Sequence, residues 1–122
     1  MAWLIEKPRS IQPAGDKPKQ IDEFFGRVSD GNQHISIARM QAPAGWTEPG
    51  QKPDFDEYTL VLSGTLIVKT QHRQYTVQED QAILIQSNEW VQYSTPEEQG
   101  AYYISVCMPA FSEEKVHREE PE

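Results

Sequence analysis

Sulfur and imidazole are scarce in this chain. One cysteine, Cys107, and three histidines, His34, His72 and His117, occur in 122 residues. A disulfide framework is excluded, as is a zinc site built from four cysteines or from two cysteines and two histidines. Long apolar runs are missing as well. The longest are Ala82–Ile85 and the stretch around Tyr102–Ile104, far short of the ~20 residues that a membrane-spanning helix needs. Met1-Ala2-Trp3-Leu4-Ile5 runs at once into Glu6 and Pro8, so no targeting segment is expected. Basic residues are outnumbered: 11 Lys and Arg stand against 19 Asp and Glu, a net charge of −8. Nucleic acid demands a basic face that displaces counterions, and an anionic membrane surface makes the same demand, so neither is an expected partner. With a lone cysteine, a cytoplasmic location is expected.

What remains is enough for one packed domain: 37% of residues are hydrophobic and 25% charged. Residues 1–20 contain Pro8, Pro13 and Pro18 and few apolar groups, and read as an extended arm. Residues 21–111 read as short strands at about ten-residue spacing, an all-β sandwich or barrel. Asp30-Gly31-Asn32 is a hairpin signal between strands Phe24–Ser29 and His34–Gln41. Ala42–Pro53, rich in Pro and Gly, is a loop. Phe55–Leu62 and Thr65–Thr70 flank a turn at Ser63-Gly64, and Gln74–Val77, Ala82–Ile85, Trp90–Ser94 and Ala101–Met108 complete the set. Residues 112–122 form an acidic, solvated tail in which Ser112 caps a short helix over 113–118.

Two strands are apolar on both faces. Tyr58, Leu60 and Leu62 alternate with Glu57, Thr59 and Val61; Tyr102, Ile104 and Val106 alternate with Tyr103, Ser105 and Cys107. A solvated outer face needs no such residues. The reading is a homodimer through that face, with the N-terminal arm lying across it as the alternative.

Residues 45–64 read Gly45-x5-Gln51-x-Pro53-x3-Glu57-x6-Gly64. This resembles the first motif of the cupin family, G-x5-H-x-H-x3,4-E-x6-G. The second motif, G-x5-P-x-G-x2-H-x3-N, aligns with Asp80, Gln86, Asn88, Val91 and Thr95. Asp80 and Asn88 replace glycines, and both residue types tolerate left-handed backbone. The segment Phe55–Leu66 is similar to histidine-poor cupins of the ethanolamine-utilisation type. The resemblance implies a small double-stranded β-helix, a jelly-roll barrel, with Glu57 pointing inward. It also places the family's metal ligands on Gln51, Pro53, Glu57 and Val91. Three of the four are lost, and a one-residue shift to Gly50 and Lys52 restores none. No cofactor is therefore expected. The remaining metal alternative is an all-oxygen site from Glu48, Asp54, Asp56 and Glu57.

A buried carboxylate needs a cation, donors or a raised pKa. Three readings stay open for Glu57: an ion pair with Arg39, a hydrogen bond from Tyr93 two residues beyond Val91, or service as a general acid or base. The expected function is binding of a small polar metabolite in the barrel, lined by Arg39, Gln51, Glu57, Thr59 and Tyr93. Trp46 and Trp90 either rim the mouth and stack on a ligand or simply pack. The alternatives are a lyase or isomerase with Glu57 and Tyr93 as its catalytic pair, and a metalloenzyme with divergent ligands. His34, His72 and His117 read as surface groups, and Cys107 as a small buried residue.

Overall fold

The computed structural model describes residues 1–120, so Pro121 and Glu122 of the acidic tail lie outside the described residues. Eight strands and one short helix follow in order: β1 (Arg9–Ile11), β2 (Gln20–Phe25), β3 (Ser36–Ala42), β4 (Asp56–Thr70), β5 (Gln74–Gln78), β6 (Ala82–Ile85), β7 (Val91–Ser94), β8 (Ala101–Met108) and α1 (Glu113–Val116). The main strand order is β1-β2-β3-β8-β4-β5, all antiparallel, and β6 and β7 also pair with β4. The architecture is the all-β cupin barrel that the motif implies.

Strand β4 organises the barrel because it belongs to both sheets. Its first half pairs with β8 and β6, and its second half with β5 and β7. The turn expected at Ser63-Gly64 does not exist. The chain bends there and continues as one strand, its register against β8 slipping between Val61 and Ser63. Gly64 makes the bend possible: its φ is 81°, and a Cβ would press into the Gly100 carbonyl oxygen. Asp80 and Asn88, in place of the motif-two glycines, have φ of 64° and 70°.

The expected Asp30-Gly31-Asn32 hairpin is wider than its turn signal suggests. Strand β2 ends at Phe25 and β3 starts at Ser36. Local side-chain acceptors hold the intervening backbone instead of ladder bonds. Glu23 Oε2 accepts from the Val28 and Ser29 amides at 3.0 and 2.8 Å. Asp30 Oδ1 accepts from Gly26 N at 2.8 Å, and Asn32 Oδ1 from His34 N at 2.8 Å.

Both chain ends are built onto the barrel. From the arm, β1 pairs with β2, and Asp16 and Thr47 exchange two hydrogen bonds. Trp3 and Leu4 remain exposed. The arm does not cross the outer face, where Tyr58, Leu60 and Leu84 stay exposed beside Ile104 and Val106. The described part of the tail keeps Glu113, Glu114, His117, Glu119 and Glu120 exposed but packs Val116 against the barrel. Helix α1 is capped by Ser112 Oγ, which accepts from Lys115 N at 3.2 Å, and stops at Val116 because His117 turns to φ 51°. Val116 packs with Phe55 and Cys107, and Glu119 N donates to the Gly50 carbonyl at 2.8 Å. No helix among the described residues is long and apolar enough to cross a membrane.

Gly64→Ala should lower stability by about 2 kcal/mol or more, since it combines left-handed strain with a backbone collision. Urea denaturation measures this, and an unchanged midpoint would show that the bend does not depend on glycine.

Candidate functional site

Alternation along five strands sends a defined set of side chains into the barrel. Lys19, Ile21 and Glu23 share one face at the start of β2; Ser36, Ala38 and Met40 share the inner face of β3; Tyr103, Ser105 and Cys107 share that of β8. Glu57 of β4, Tyr93 of β7 and Glu48 and Gln51 of the 43–53 loop complete the polar end. Phe55, Phe111 and Arg118 contribute from the loop before β4 and from the C-terminal segment. Together they line a narrow cavity of about 50 Å³. A buried water needs roughly 10–15 Å³ of such space, so the cavity holds a few waters or a ligand of a handful of heavy atoms.

Glu57 lies on the inner wall with 9% of its surface exposed. Tyr93 donates its phenolic O–H to Oε1 at 3.1 Å, and Ser105 donates its hydroxyl to Oε2. Burial pushes the Glu57 carboxyl above its ordinary 4.5, while the Ser105 bond, nearby Lys19 and the Tyr93 bond pull it partly back. Burial and the Glu57 charge together hold the Tyr93 phenol well above 10.

Of the two cations that line the cavity, Lys19 and Arg118, Lys19 is the more deeply buried. Its side chain is 5% exposed. The ammonium donates to the Tyr103 hydroxyl at 3.2 Å, stands 3.7 Å from Glu48 Oε2 and lies 4.2 Å above the centre of the Trp46 ring. Burial works to lower the Lys19 pKa, but Tyr103 and Glu48 outweigh it and the value is raised. Glu48 is also raised, first by burial, with Lys19 opposing and Glu57 adding to the shift. Tyr103 is pushed up to about 12, chiefly by burial. Burial also raises Cys107, which leaves it an unreactive thiol.

Several sequence expectations change. Arg39 does not meet Glu57: it alternates to the outer face, pairs with Asp22 at 3.1 Å and covers the Phe24 ring. Trp46 is fully buried beneath Lys19 rather than at the mouth. Trp90 donates to Glu119 Oε2 at 3.1 Å and does not line the cavity. Thr59 is buried in the wall but outside the cavity, and its hydroxyl has no partner among the described residues. Gln51 does line it, and its Oε1 likewise has no partner among the described residues. Lys19, Glu48, Ser105 and Arg118 were not singled out as lining groups. Ser105 was legible from its shared phase with Tyr103 and Cys107, and Lys19 from the period-two series that runs back from Glu23 and Ile21.

The residues do not fit the metal that the cupin resemblance implies. Pro53 and Val91 offer no side-chain ligand. Among the described residues no three His, Cys, Asp or Glu side chains converge on one point. Asp54 instead meets His117 at 2.7 Å on the surface, and Asp56 accepts from Ser87 N at 2.8 Å.

Comparison with known proteins agrees with this architecture. The chain is 38% identical over 106 residues to a Myxococcus xanthus protein named endoribonuclease YbeY, a match that spans 87% of this chain and 36% of that protein. The chain thus spans about a third of the length of the curated relative it matches. A cupin-like protein from Thermotoga maritima superposes with a TM-score of 0.73 at 8% identity, covering 93% of each chain. The EutQ protein of Clostridium difficile superposes with a TM-score of 0.62 at 21% identity, covering 77% of this chain and 71% of that one. Residues 53–121 match the AraC-like ligand binding domain. As this match takes in more than half of the 122 residues, the chain belongs to the AraC-like ligand binding domain family, carried on a small cupin barrel.

Proposed function

We propose that the barrel binds one small polar metabolite in the cavity beside Glu57, without a metal. The observation that carries this reading is a narrow enclosed space whose polar end holds a carboxylate fixed by two hydroxyl donors and a buried Gln51 oxygen with no partner among the described residues. Family membership supports ligand binding as the general role. A small molecule is preferred to RNA because the net charge is −8 and the cavity is too narrow for a nucleotide chain. Tyr93 and Ser105 orient Glu57, and Gln51 meets the ligand directly. One buried thiol suits a reducing compartment, and the cytoplasm is the proposed location.

A second reading is favoured by the upward shift of Glu57. A carboxyl raised above its ordinary range by burial, beside a phenol, is suited to general acid–base work on the bound molecule. Glu57→Gln separates the two: loss of turnover with affinity retained identifies the enzyme.

The outer face of the first sheet forms the proposed homodimer contact. Tyr58 lies between Val106 and Leu84, and Leu60 between Ile104 and Ala82, giving a continuous apolar surface that a two-fold axis can bury against itself.

Three outcomes are expected. In a thermal-shift screen of small metabolites, a binder present at a hundred times its Kd should add about 2.7 kcal/mol, on the order of 10 °C in Tm. Ala38→Leu, which fills the cavity, should abolish that response; a response that survives places the ligand elsewhere. For Glu57 the pH dependence has a definite sign. Below pH 4.5 the carboxyl is protonated in both states; above it the unfolded chain loses its proton first, so stability falls as pH rises toward the folded value. The stability of Glu57→Gln relative to wild type should therefore increase from pH 4 upward, and a flat difference would show that Glu57 is not shifted. Sedimentation should give a dimer at micromolar concentration, and Leu60→Glu a monomer; a monomeric wild type rejects the contact.

A further inference from the structure

The metal disagreement leaves an electrostatic question. Among the described residues the barrel lacks a set of metal ligands, yet it carries cations inside. Lys19 is the more deeply buried of them, and its donors are not fully used. An ammonium has three N–H groups. Tyr103 accepts one at 3.2 Å, whereas Glu48 at 3.7 Å lies beyond ordinary hydrogen-bond length. Arg118 enters the same cavity from the C-terminal segment. Its terminal nitrogen pairs with Glu113, but its buried Nε has no partner among the described residues.

The Glu57 carboxylate, by contrast, is already served on both oxygens, by the hydroxyl donors of Tyr93 and Ser105. Glu23 accepts two backbone amides. The unspent donors of Lys19 and Arg118 call for an acceptor on the guest. Ile21, Met40, Phe55 and Phe111 line the rest of the space and call for hydrocarbon. Gln51, only 4% exposed, lines the same space, and its Oε1 has no partner among the described residues.

We propose that Lys19, carried into the barrel by the N-terminal arm, takes the place of the cupin metal and anchors the anionic oxygen of a small monocarboxylate with a short apolar tail. This rests on the binding reading above and names its ligand class. Arg118 Nε–H supplies the second donor to the carboxylate. Burial raises the Glu57 carboxyl and so weakens its repulsion of the guest. A second negative charge on the ligand would face Glu48 and Glu57 without a partner, which selects for one carboxylate.

The test uses butyrate, its neutral isostere butyramide and butylammonium as probes of the full-length protein. Binding is followed through the backbone amide resonances of Ser105 and Cys107 on the cavity wall. Butyrate should shift both saturably, and butyramide should bind about tenfold or more weakly, as expected for loss of a charge-assisted hydrogen bond. Lys19→Met should abolish the preference for butyrate. If that variant does not fold, the wild-type ranking of the three probes decides alone. Butyramide or butylammonium binding as tightly as butyrate at these residues overturns the role of Lys19 while leaving a binding cavity in place. Failure of all three to move the resonances overturns the carboxylate assignment, and the metabolite screen then judges the binding reading independently.

Discussion

The burial of charge governs this barrel. Glu48 and Glu57 lie inside it, and an isolated carboxylate in such a place costs several kcal/mol. Lys19 reduces that cost by standing between Glu48, Tyr103 and the face of Trp46. Its position in turn requires the arm to enter the barrel mouth, with Asp16 latched to Thr47 and Gly15 lying against the Trp46 indole. The polar interior and the path of the first twenty residues are thus one problem with one solution.

The C-terminal segment solves a second problem of the same kind. Phe55, Cys107 and Val116 make a small apolar cluster away from the main core, with Phe111 packed against it. That cluster brings Arg118 to the cavity and Glu119 to Gly50 and Trp90. An acidic segment can therefore pack, because Val116 and Arg118 turn toward the barrel while Glu113, Glu114, Glu119 and Glu120 are exposed.

Much of the barrel was legible in the primary structure. Alternation located β3 and β5 to β8 closely, whereas the strand expected at Phe24–Ser29 lies at Gln20–Phe25 and β1 lies within the expected arm; Gly64, Asp80 and Asn88 marked positions with positive φ. The ladder of β4 was misread at one place. Serine followed by glycine signals a turn locally, but here the pairing of β4 with four neighbours holds the strand together through a bend. The 26–35 loop was misread for the converse reason. Its closing acceptor, Glu23, sits in the strand before it, where no turn signal is sought.

By itself the sequence determined the all-β fold class from period-two alternation and, through the resemblance of residues 45–64 to the cupin motif, implied the inward phase of Glu57 and the loss of the histidine ligands, with Tyr93 one of three readings left open for Glu57. Alternation and motif matches are properties of one strand at a time. Only the tertiary structure decided the partners: Ser105 for Glu57, Asp22 for Arg39, and Lys19 for Glu48. Each pair joins residues distant in the chain, across strands whose register is set by the whole sheet. Local propensity carries no information about which side chains a closed barrel brings face to face.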